Sequence, residues 1–478
     1  MTRFHFIGVG GTAMATLAAM LKARGHDVQG SDHGVYPPMS DFLAREGIRV
    51  LDGYAAAHIT HDIEIVVVGN AISRGNPELE EVLDRKLHYL SLPETIRDYF
   101  LWQSRSIVIA GTHGKTTTTS LTGWLLTHGG SNPTVLIGGV AANFDGSYRM
   151  GTGRDFVIEG DEYDSAFFDK TAKFLKYLPD IAVIGNVEYD HADIYPDMES
   201  LRTAFRRLVN LVPRNGHLLI GADSEEAVRL TSLARSTCET FGLGPGADWR
   251  ATDIRIERDR VLFDVTAHGE PLGPFEVRLY GQHNIRNALA ALAVGRAVGL
   301  MPDTMKAGLA AFTGVRRRLE LRGEAAGVSV YDDFAHHPTA IFETIRAMKA
   351  SQPDRRVWAI FEPRSATSCR RVFQEDFARA FIDSHPDEIV LAAVYRSALP
   401  DDQRLSVETL VADIERAGGR ARLIPRVDDI VATVAQEARD GDVVVIMSNG
   451  GFEGIHEKLL NALAARMQGR APFGSTEI

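Results

Sequence analysis

The chain has 478 residues and a net charge of −11, with 45% hydrophobic and 24% charged residues. At about 100–200 residues per domain, this length predicts about three domains, and the composition is typical of a globular α/β enzyme. The acidic balance excludes a broad basic surface for nucleic acid or anionic membrane, the spacing of Cys238 and Cys369 matches no metal or redox motif, and no apolar run reaches about 18 residues. We therefore expect a cytoplasmic protein with no nucleic-acid or membrane partner.

Residues 1–100 alternate between strand and helix patterns, which predicts a parallel sheet. Strands are expected at residues 3–9, 27–31 and 65–69, with a helix at residues 12–24. The first strand and helix are joined by Gly8-Val9-Gly10-Gly11-Thr12-Ala13, and Asp32 follows the second strand. This pattern is typical of a turn that binds a diphosphate at a helix N-terminus, in a dinucleotide or in a UDP-sugar. A glycine turn that serves only packing remains an alternative.

The next segment is an apolar strand that runs into a Gly-rich turn and a row of hydroxyls. The turn and helix start comprise Gly111, Thr112, His113, Gly114, Lys115, Thr116 and Thr117. Such a loop holds a triphosphate with its backbone N–H groups, while the lysine reaches the outer phosphates and the Thr116 hydroxyl can bind Mg²⁺. The spacing is shorter than in a standard P-loop, because Ile109 stands where the first glycine is expected. An ordinary turn with a surface lysine is the alternative.

Polar clusters follow two further apolar runs, at residues 156–158 and 181–184; another strand is expected at 217–220. In the first cluster, residues 158–164, Glu159 is the best candidate to bind Mg²⁺. In the second, residues 186–191, His191 can ligate a second Mg²⁺ or orient a phosphate. A solvated acidic loop and a structural histidine are the respective alternatives.

A long Ala-rich helix is predicted at residues 284–299, and a third α/β section begins near residue 314. Asn284 either caps this helix or contacts the nucleotide. The arginines at positions 316–318 are either solvated or reach a phosphate across the cleft between the sections. Strands of the third section are expected at residues 328–331, 357–361, 388–392 and 443–447.

In this order the motifs resemble those of the ATP-dependent Mur ligases of peptidoglycan synthesis, over nearly the whole chain. The matching motifs are Gly111-Thr-His-Gly-Lys-Thr-Thr-Thr118, Asn186-x-Glu-x-Asp-His191, Gly281-x-His-Asn-x-x-Asn287, Gly314-x-x-Arg-Arg318 and Asp332-Asp-x-x-His-His-Pro338. The resemblance implies an α/β protein of three domains. They are a Rossmann-like UDP-sugar domain (1–100), a P-loop-type ATPase domain with a mainly parallel sheet (101–313) and a Rossmann-like peptide-binding domain (314–478).

The resemblance also implies residue roles. Catalysis is assigned to Lys115, Glu159, His191 and Arg317. ATP binding is assigned to Gly111, Thr112, His113, Gly114, Lys115, Thr116, Thr117, Asn284, Asn287, Arg317 and Asp333, and Mg²⁺ binding to Thr116, Glu159 and His191. UDP-sugar binding is assigned to Gly8, Gly10, Gly11, Thr12 and Asp32. Arg364, with Ser365 and Thr367, is expected to bind peptide carboxylates, unless Arg364 is simply a surface residue.

Four stretches favour one branch of the family, at residues 35–40, 159–170, 361–365 and 448–452. That branch joins the recycled tripeptide L-alanyl-γ-D-glutamyl-meso-diaminopimelate to UDP-N-acetylmuramate through an acyl phosphate formed with ATP. The alternative branch adds L-alanine to the same sugar nucleotide. Two other classes remain: an NAD-dependent oxidoreductase, which leaves residues 111–116 unexplained, and a non-catalytic nucleotide switch. A monomer is expected, with hinges near residues 100 and 314.

Overall fold

The computed structural model describes residues 1–144, 146–257 and 259–467. In these ranges the chain forms three large sheets and one two-stranded hairpin, and the strands of each large sheet come from one continuous part of the sequence. Helices cover the sheets, so the fold class predicted from the sequence is confirmed.

The first sheet has five parallel strands in the order β3-β2-β1-β4-β5. Its elements are β1 (Arg3–Ile7), α1 (Thr12–Ala23), β2 (Asp27–Asp32), α2 (Met39–Arg45), β3 (Arg49–Asp52), β4 (Ile65–Val68), α3 (Pro77–Asp84), β5 (Tyr89–Ser91) and α4 (Leu92–Ile96). The order reverses on the two sides of β1, which is the Rossmann-like arrangement with a ligand crevice at the carboxyl ends of the strands. The strands and the helix expected here are all present.

The second sheet has ten strands in the order β17-β16-β15-β14-β13-β12-β6-β9-β7-β8. The first half of this part contains β6 (Arg105–Ala110), α5 (Lys115–His128), β7 (Thr134–Ala141), β8 (Gly146–Arg149), β9 (Asp155–Gly160), the hairpin β10 (Asp164–Ala166) and β11 (Asp169–Ala172), β12 (Ile181–Ile184) and α6 (Met198–Leu211). The second half contains β13 (His217–Gly221), α7 (Glu225–Val228), β14 (Thr237–Gly242), β15 (Trp249–Ile256), β16 (Val261–Ala267), β17 (Glu270–Val277), α8 (Gln282–Ala297) and α9 (Pro302–Ala310). The strands from β15 to β7 are parallel, and antiparallel pairs close both edges.

The third sheet has six strands in the order β18-β19-β23-β20-β21-β22, and only the β18–β19 pair is antiparallel. Its elements are β18 (Glu320–Ala325), β19 (Val328–Asp333), α10 (Pro338–Ser351), β20 (Val357–Phe361), α11 (Gln374–Ser384), β21 (Glu388–Leu391), α12 (Val407–Arg416), β22 (Ala421–Leu423), α13 (Val427–Glu437), β23 (Val443–Met447) and α14 (Ile455–Met467). The end of the expected third domain, residues 468–478, lies outside the described residues.

The connections between the sheets are held in place by packing and by backbone pairing. Phe100, just before β6, packs against Phe156 of β9 with 6.0 Å between ring centroids, so the first and second parts share one apolar core. The segment that leads into the third part pairs with the second sheet, because Val315 forms an antiparallel bridge with Ala141 at the end of β7. In the described part of the chain, no helix has both the length and the apolar character required to span a bilayer.

Candidate active site

The loop between β6 and α5 is built around two glycines with positive φ. Gly111 has φ of +130° and Gly114 has φ of +81°, values that residues with a Cβ adopt only under strain. A Cβ at Gly114 would lie 2.5 Å from Asn287 Oδ1, so this position also lacks space for a side chain. The loop is held to the segment after β12, since Asn186 Oδ1 accepts from the His113 N–H at 2.8 Å and Thr112 N–H donates to the Asn186 carbonyl. The N-terminus of α5, which carries no side-chain cap, is therefore presented as an anion site.

Lys115 at the start of α5 is paired with a buried carboxylate. Its Nζ lies 2.8 and 2.9 Å from the two oxygens of Glu162 and also donates to the Gly111 carbonyl. Burial alone would lower the pKa of Lys115, but the carboxylates of Glu162, Asp161 and Glu159 together outweigh it and the pKa is raised. The lysine therefore keeps its positive charge in a site shielded from water.

His191 lies on the other side of the same carboxylate. Its Nε2 is 3.0 Å from Glu162 Oε1, while its buried Nδ1 has no hydrogen-bond partner. The residue has φ of +55°, a strained value for a histidine. Burial lowers its pKa, but the hydrogen bond with Glu162 and the negative charges of Asp190 and Glu162 together outweigh this, and the pKa is raised. The Glu162 carboxylate is therefore hydrogen-bonded to both Lys115 and His191.

Thr116 and Glu159 form a second polar pair next to the loop. The Thr116 hydroxyl donates to Glu159 Oε1 at 3.0 Å, and Gly138 N–H of β7 donates to Glu159 Oε2 at 2.8 Å. Burial raises the pKa of Glu159, an effect that the charge of Lys115 partly offsets. Two carboxylates and a hydroxyl therefore converge at the helix start, and these hard oxygen donors suit a divalent cation such as Mg²⁺.

Arg317 and Arg318, which follow the segment that connects the second and third parts of the chain, have different hydrogen-bond partners. Arg318 Nη2 lies 3.5 Å from the Thr116 hydroxyl, at the phosphate loop. Arg317 Nη2 instead donates to the carbonyls of Ser448 and Gly450, at 2.6 and 2.7 Å, within the third part of the chain. Arg317 still lines the large cavity between the second and third sheets, which is described below. The guanidinium that approaches the phosphate loop, however, is that of Arg318.

The two asparagines of α8 are hydrogen-bonded to each other, and Asn287 contacts α5. Asn287 accepts a hydrogen bond from the Thr118 hydroxyl at 3.1 Å and donates to Asn284 Oδ1 at 3.1 Å. Asn284 donates to the Tyr280 carbonyl, and the residue that caps α8 is Gly281. The capping role considered for Asn284 is therefore not the one its side chain has here.

Asp333 lies at the end of β19 and organises the turn that follows. Its carboxylate accepts from the backbone N–H groups of Leu319 and Ala335, both at 2.8 Å, and from the Thr344 hydroxyl. Burial raises its pKa, and the nearby Arg318 acts against this rise. Asp333 thus fixes the segment that carries Arg318 as well as lining the cavity.

The residues expected to bind the peptide occupy two environments. Ser365 and Thr367 line the cavity, and the Thr367 hydroxyl donates to Asp190, the neighbour of His191. Arg364 lies over the Tyr395 ring at 3.8 Å and within 3.9 Å of Glu362, outside the residues that line the cavity. A Cβ at Gly450 would collide with the Arg364 side chain, so the glycine makes room for it.

The residues expected to bind the UDP-sugar lie apart from this cavity, at the carboxyl end of the first sheet. Asp32 accepts from the Gly10 N–H at 2.7 Å and from the Tyr54 hydroxyl at 3.0 Å, so its carboxylate holds the glycine turn. Gly8 has φ of +87°, and Gly11 precedes Thr12 at the uncapped start of α1. This open helix start remains available to an anion.

One cavity of about 1100 Å³ between the second and third sheets brings most of the predicted residues together. From the expected sets it is lined by Thr112, His113, Gly114, Lys115, Thr116, Thr117, Glu159, His191, Asn284, Asn287, Arg317, Asp333, Ser365 and Thr367. Sequence reasoning did not single out Glu162 or Arg318. Glu162 lies in the acidic run at residues 158–164 and Arg318 in the arginine run at 316–318. Nothing in the sequence favours either residue over its charged neighbours.

Comparisons with known proteins match nearly the whole chain. Three family descriptions match in chain order: "Mur ligase family, catalytic domain" at residues 3–100, "Mur ligase middle domain" at 109–295 and "Mur ligase, glutamate ligase domain" at 317–450. The Escherichia coli K12 protein named UDP-N-acetylmuramate–L-alanyl-γ-D-glutamyl-meso-2,6-diaminoheptandioate ligase is 39% identical, covering 98% of this chain and 99% of the relative.

Two further relatives represent the two branches, one that adds L-alanine and one that adds a peptide. The Salinibacter ruber UDP-N-acetylmuramate–L-alanine ligase is 35% identical, covering 93% of this chain and 92% of the relative. A murein peptide ligase from Psychrobacter arcticus, known from its crystal structure, has 35% sequence identity to this chain. The two structures superpose with a TM-score of 0.70, covering 97% of this chain and 99% of that one.

Proposed function

The chain belongs to the Mur ligase family, and we propose that it is the ATP-dependent ligase that joins L-alanyl-γ-D-glutamyl-meso-diaminopimelate to UDP-N-acetylmuramate. The E. coli and P. arcticus relatives support this choice over L-alanine addition. The observation that carries the chemistry is the phosphate loop with Lys115, Glu162 and His191 in one buried chain of contacts. It places a permanent cation and two potential metal ligands beside an open helix N-terminus.

The donors at the helix start fit Mg²⁺. We assign the first ion to the Thr116 hydroxyl and Glu159, and a second to His191 together with Glu162, which was not in the sequence-based set. Bound there, Mg²⁺ neutralises phosphate charge and polarises the transferred phosphoryl group. Oxygen donors dominate the set, as this hard cation requires.

The chain's own residues supply the rest of the phosphoryl-transfer site. Phosphate oxygens would take the place of Glu162 as partners of Lys115 and would accept hydrogen bonds from the N–H groups of residues 114–116. Arg318 adds a second positive charge from the third part of the chain, whereas Arg317 positions the loop at residues 448–450. Catalysis then rests on positioning and electrostatic stabilisation, and no side chain acts as a nucleophile.

The substrates are assigned to the two remaining sites. The turn at Gly8–Thr12 binds the UDP diphosphate at the start of α1, and the lactyl carboxylate becomes the acyl phosphate. Ser365 and Thr367 line the cavity and, with the adjacent Arg364, are assigned to the peptide carboxylates. The free amine of the peptide displaces phosphate to form the amide. Asn284, Asn287 and Asp333 are assigned to the nucleotide side of the cavity.

The proposal includes a division into domains at 1–100, 101–313 and 314–478. It is supported by the placement of each large sheet within one of these segments. It also includes a monomer in the cytoplasm, in keeping with two free cysteines, Cys238 and Cys369.

The proposal is tested with purified protein, ATP, Mg²⁺ and UDP-N-acetylmuramate, given the tripeptide in one reaction and L-alanine in another. We expect phosphate release and amide product with the tripeptide. The control is the Lys115→Ala variant, which should lose ligation while its affinity for the UDP-sugar stays near that of the parent protein. Turnover with L-alanine alone would assign the chain to the other branch, and full activity of Lys115→Ala would contradict the role of the loop.

A further inference from the structure

Three metal-ligating side chains meet where the second and third parts of the chain touch, apart from the pair formed by Thr116 and Glu159. His113 lies in the phosphate loop and Glu188 in the segment after β12, and His337 is the N-cap residue of α10. One ligand atom from each lies within 4.8 Å of the other two. We refer to these residues as the interdomain histidine cluster.

The distances are close to those of a tetrahedral metal site. His113 Nε2 lies 3.3 Å from Glu188 Oε2, and His337 Nδ1 lies 3.9 Å from the same oxygen. With metal–ligand bonds of about 2.0–2.1 Å, ligand atoms of a tetrahedral zinc ion are roughly 3.3 Å apart. The His113–Glu188 pair already has this spacing. The His337–Glu188 pair is longer, at 3.9 Å, and all three ligand atoms lie within 4.8 Å of one another, so side-chain movements would complete the set.

The surroundings hold His337 as they would hold a metal ligand. Its Nε2 lies 3.3 Å from the Tyr189 carbonyl, and donation there directs the lone pair of Nδ1 toward the cluster. Nδ1 accepts a long hydrogen bond of 3.3 Å from Thr339 N–H, which a metal would replace. Glu188 also accepts a short hydrogen bond of 2.5 Å from the Thr339 hydroxyl, which holds the carboxylate at the cluster. A second cavity, of about 520 Å³ and lined by Glu188, His337 and Thr339, gives access from solvent.

We propose that the interdomain histidine cluster binds a Zn²⁺-class transition-metal ion through His113, Glu188 and His337. Two imidazoles and one carboxylate select zinc or a similar ion, whereas Mg²⁺ prefers oxygen ligands. The site is thus chemically distinct from the proposed magnesium sites and does not depend on the ligase assignment. Because two ligands come from the second part of the chain and one from the third, the ion favours the arrangement in which the two parts are in contact.

The experiment uses the full-length protein, stripped of metal with a chelator, loaded with Zn²⁺ and then dialysed against excess Mg²⁺. We expect one Zn²⁺ per chain to be retained under these conditions and Co²⁺ in its place to give the visible bands of a low-coordinate ion. Glu188→Gln and His337→Asn should weaken Zn²⁺ binding by more than the roughly 10–100-fold that loss of an outer-shell partner costs. Asparagine at position 337 can still accept from the Thr339 N–H, so the start of α10 is preserved.

The matched controls are His336→Asn, which removes the adjacent imidazole, and His191→Asn, which removes the one at the proposed magnesium site. Both should keep Zn²⁺ affinity within about threefold of the parent. Thermal melts without metal establish that each variant is folded, and Zn²⁺ should raise the Tm of the parent but not of His337→Asn. Stoichiometric Zn²⁺ in Glu188→Gln, loss in His191→Asn, or no retention by the parent protein in excess Mg²⁺ would each overturn the proposal.

Discussion

Two adjacent arginines at the start of the third part of the chain have different partners. Arg317 has φ of +59° and directs its guanidinium to the carbonyls of Ser448 and Gly450. Arg318 lies next to the Thr116 hydroxyl on the phosphate loop. We infer that Arg317 supports the loop that it contacts, while Arg318 acts on the phosphates.

Substituting each arginine separates these roles. Arg318→Ala should lower kcat by about 10²–10³-fold, the usual loss when one charge-stabilising donor is removed, and Arg318→Lys should restore part of it. Arg317→Ala should lower the free energy of unfolding by about 1.5–3 kcal/mol, because it removes charged hydrogen bonds to two carbonyls, with a smaller loss of rate. Steady-state kinetics and urea unfolding measure both. A larger rate loss in Arg317→Ala at unchanged stability would reverse the assignment.

At this scale the sequence located the charged runs but not every residue that the site uses within each. Glu159, the acid preferred from the sequence, pairs with Thr116, whereas Glu162, which was not singled out, lies between Lys115 and His191. Both belong to residues 158–164, and the direction of each side chain depends on where β9 ends and how the next turn bends. Spacing along the chain does not contain that information. Lys115 and Thr116 were predictable because the start of a helix after a Gly-rich turn has a fixed geometry.

The strand, loop and helix formed by β6, residues 111–114 and α5 act as one unit. The path of the loop depends on Gly114, where a side chain would both strain the backbone and push Asn287 of α8 away. Because Asn287 also contacts Thr118 of α5, the fit between α5 and α8 depends on this glycine. The requirement is steric as well as conformational.

Gly114→Ala should therefore weaken ATP binding by at least about tenfold. The matched control is Gly130→Ala, at a position with a similar φ of +82° where a Cβ would meet no atom of the described chain within 4 Å. Both variants should lose about 1–2 kcal/mol of stability to a left-handed alanine, but only Gly114→Ala should lose nucleotide affinity. Calorimetric ATP titration and thermal unfolding measure the two effects. Equal ATP affinity in the two variants would show that the contact with Asn287 does not matter.

At the scale of elements, the buried parallel strands were predictable and the edge strands were not. Apolar runs such as residues 181–184 and 443–447 coincide with β12 and β23, because strands covered on both faces must be apolar throughout. The antiparallel strands β15 to β17 were not predicted. They are only partly buried, and their pairing is decided by contacts with each other and with the sheet edge.

In the whole molecule, the second and third parts meet through polar contacts around the cavity. Thr367 donates to Asp190, Thr339 donates to Glu188 at 2.5 Å, and Arg286 of α8 lies 3.3 Å from Glu343 of α10. The order of the three α/β units could be derived from their motifs. The partners across the interface could not, since they depend on how whole sheets dock.

Thr367→Val tests whether one of these contacts sets the relative position of the two parts. The substitution keeps the shape but removes the hydroxyl that binds Asp190. We expect kcat/KM for ATP to fall about 2–10-fold, equivalent to the roughly 0.5–1.5 kcal/mol of one net hydrogen bond, and the radius of gyration of the free protein to increase. Thr409→Val, on α12 away from the cavity, is the control. Unchanged kinetics and scattering in Thr367→Val would mean that the remaining contacts suffice.

The bridge between Val315 and Ala141 restricts where the third part of the chain can pivot. Arg316 N–H donates to the Val140 carbonyl at 2.9 Å, so the connector moves with β7 up to residue 316. Because Arg317 is bound to the third part, we infer that the pivot lies between Arg316 and Arg317, slightly later than the hinge expected near residue 314. Opening of the third part would move the Arg318 guanidinium away from the phosphate loop, and closing would return it. The rotation that admits substrate would therefore also control the positive potential at the transferred phosphoryl group.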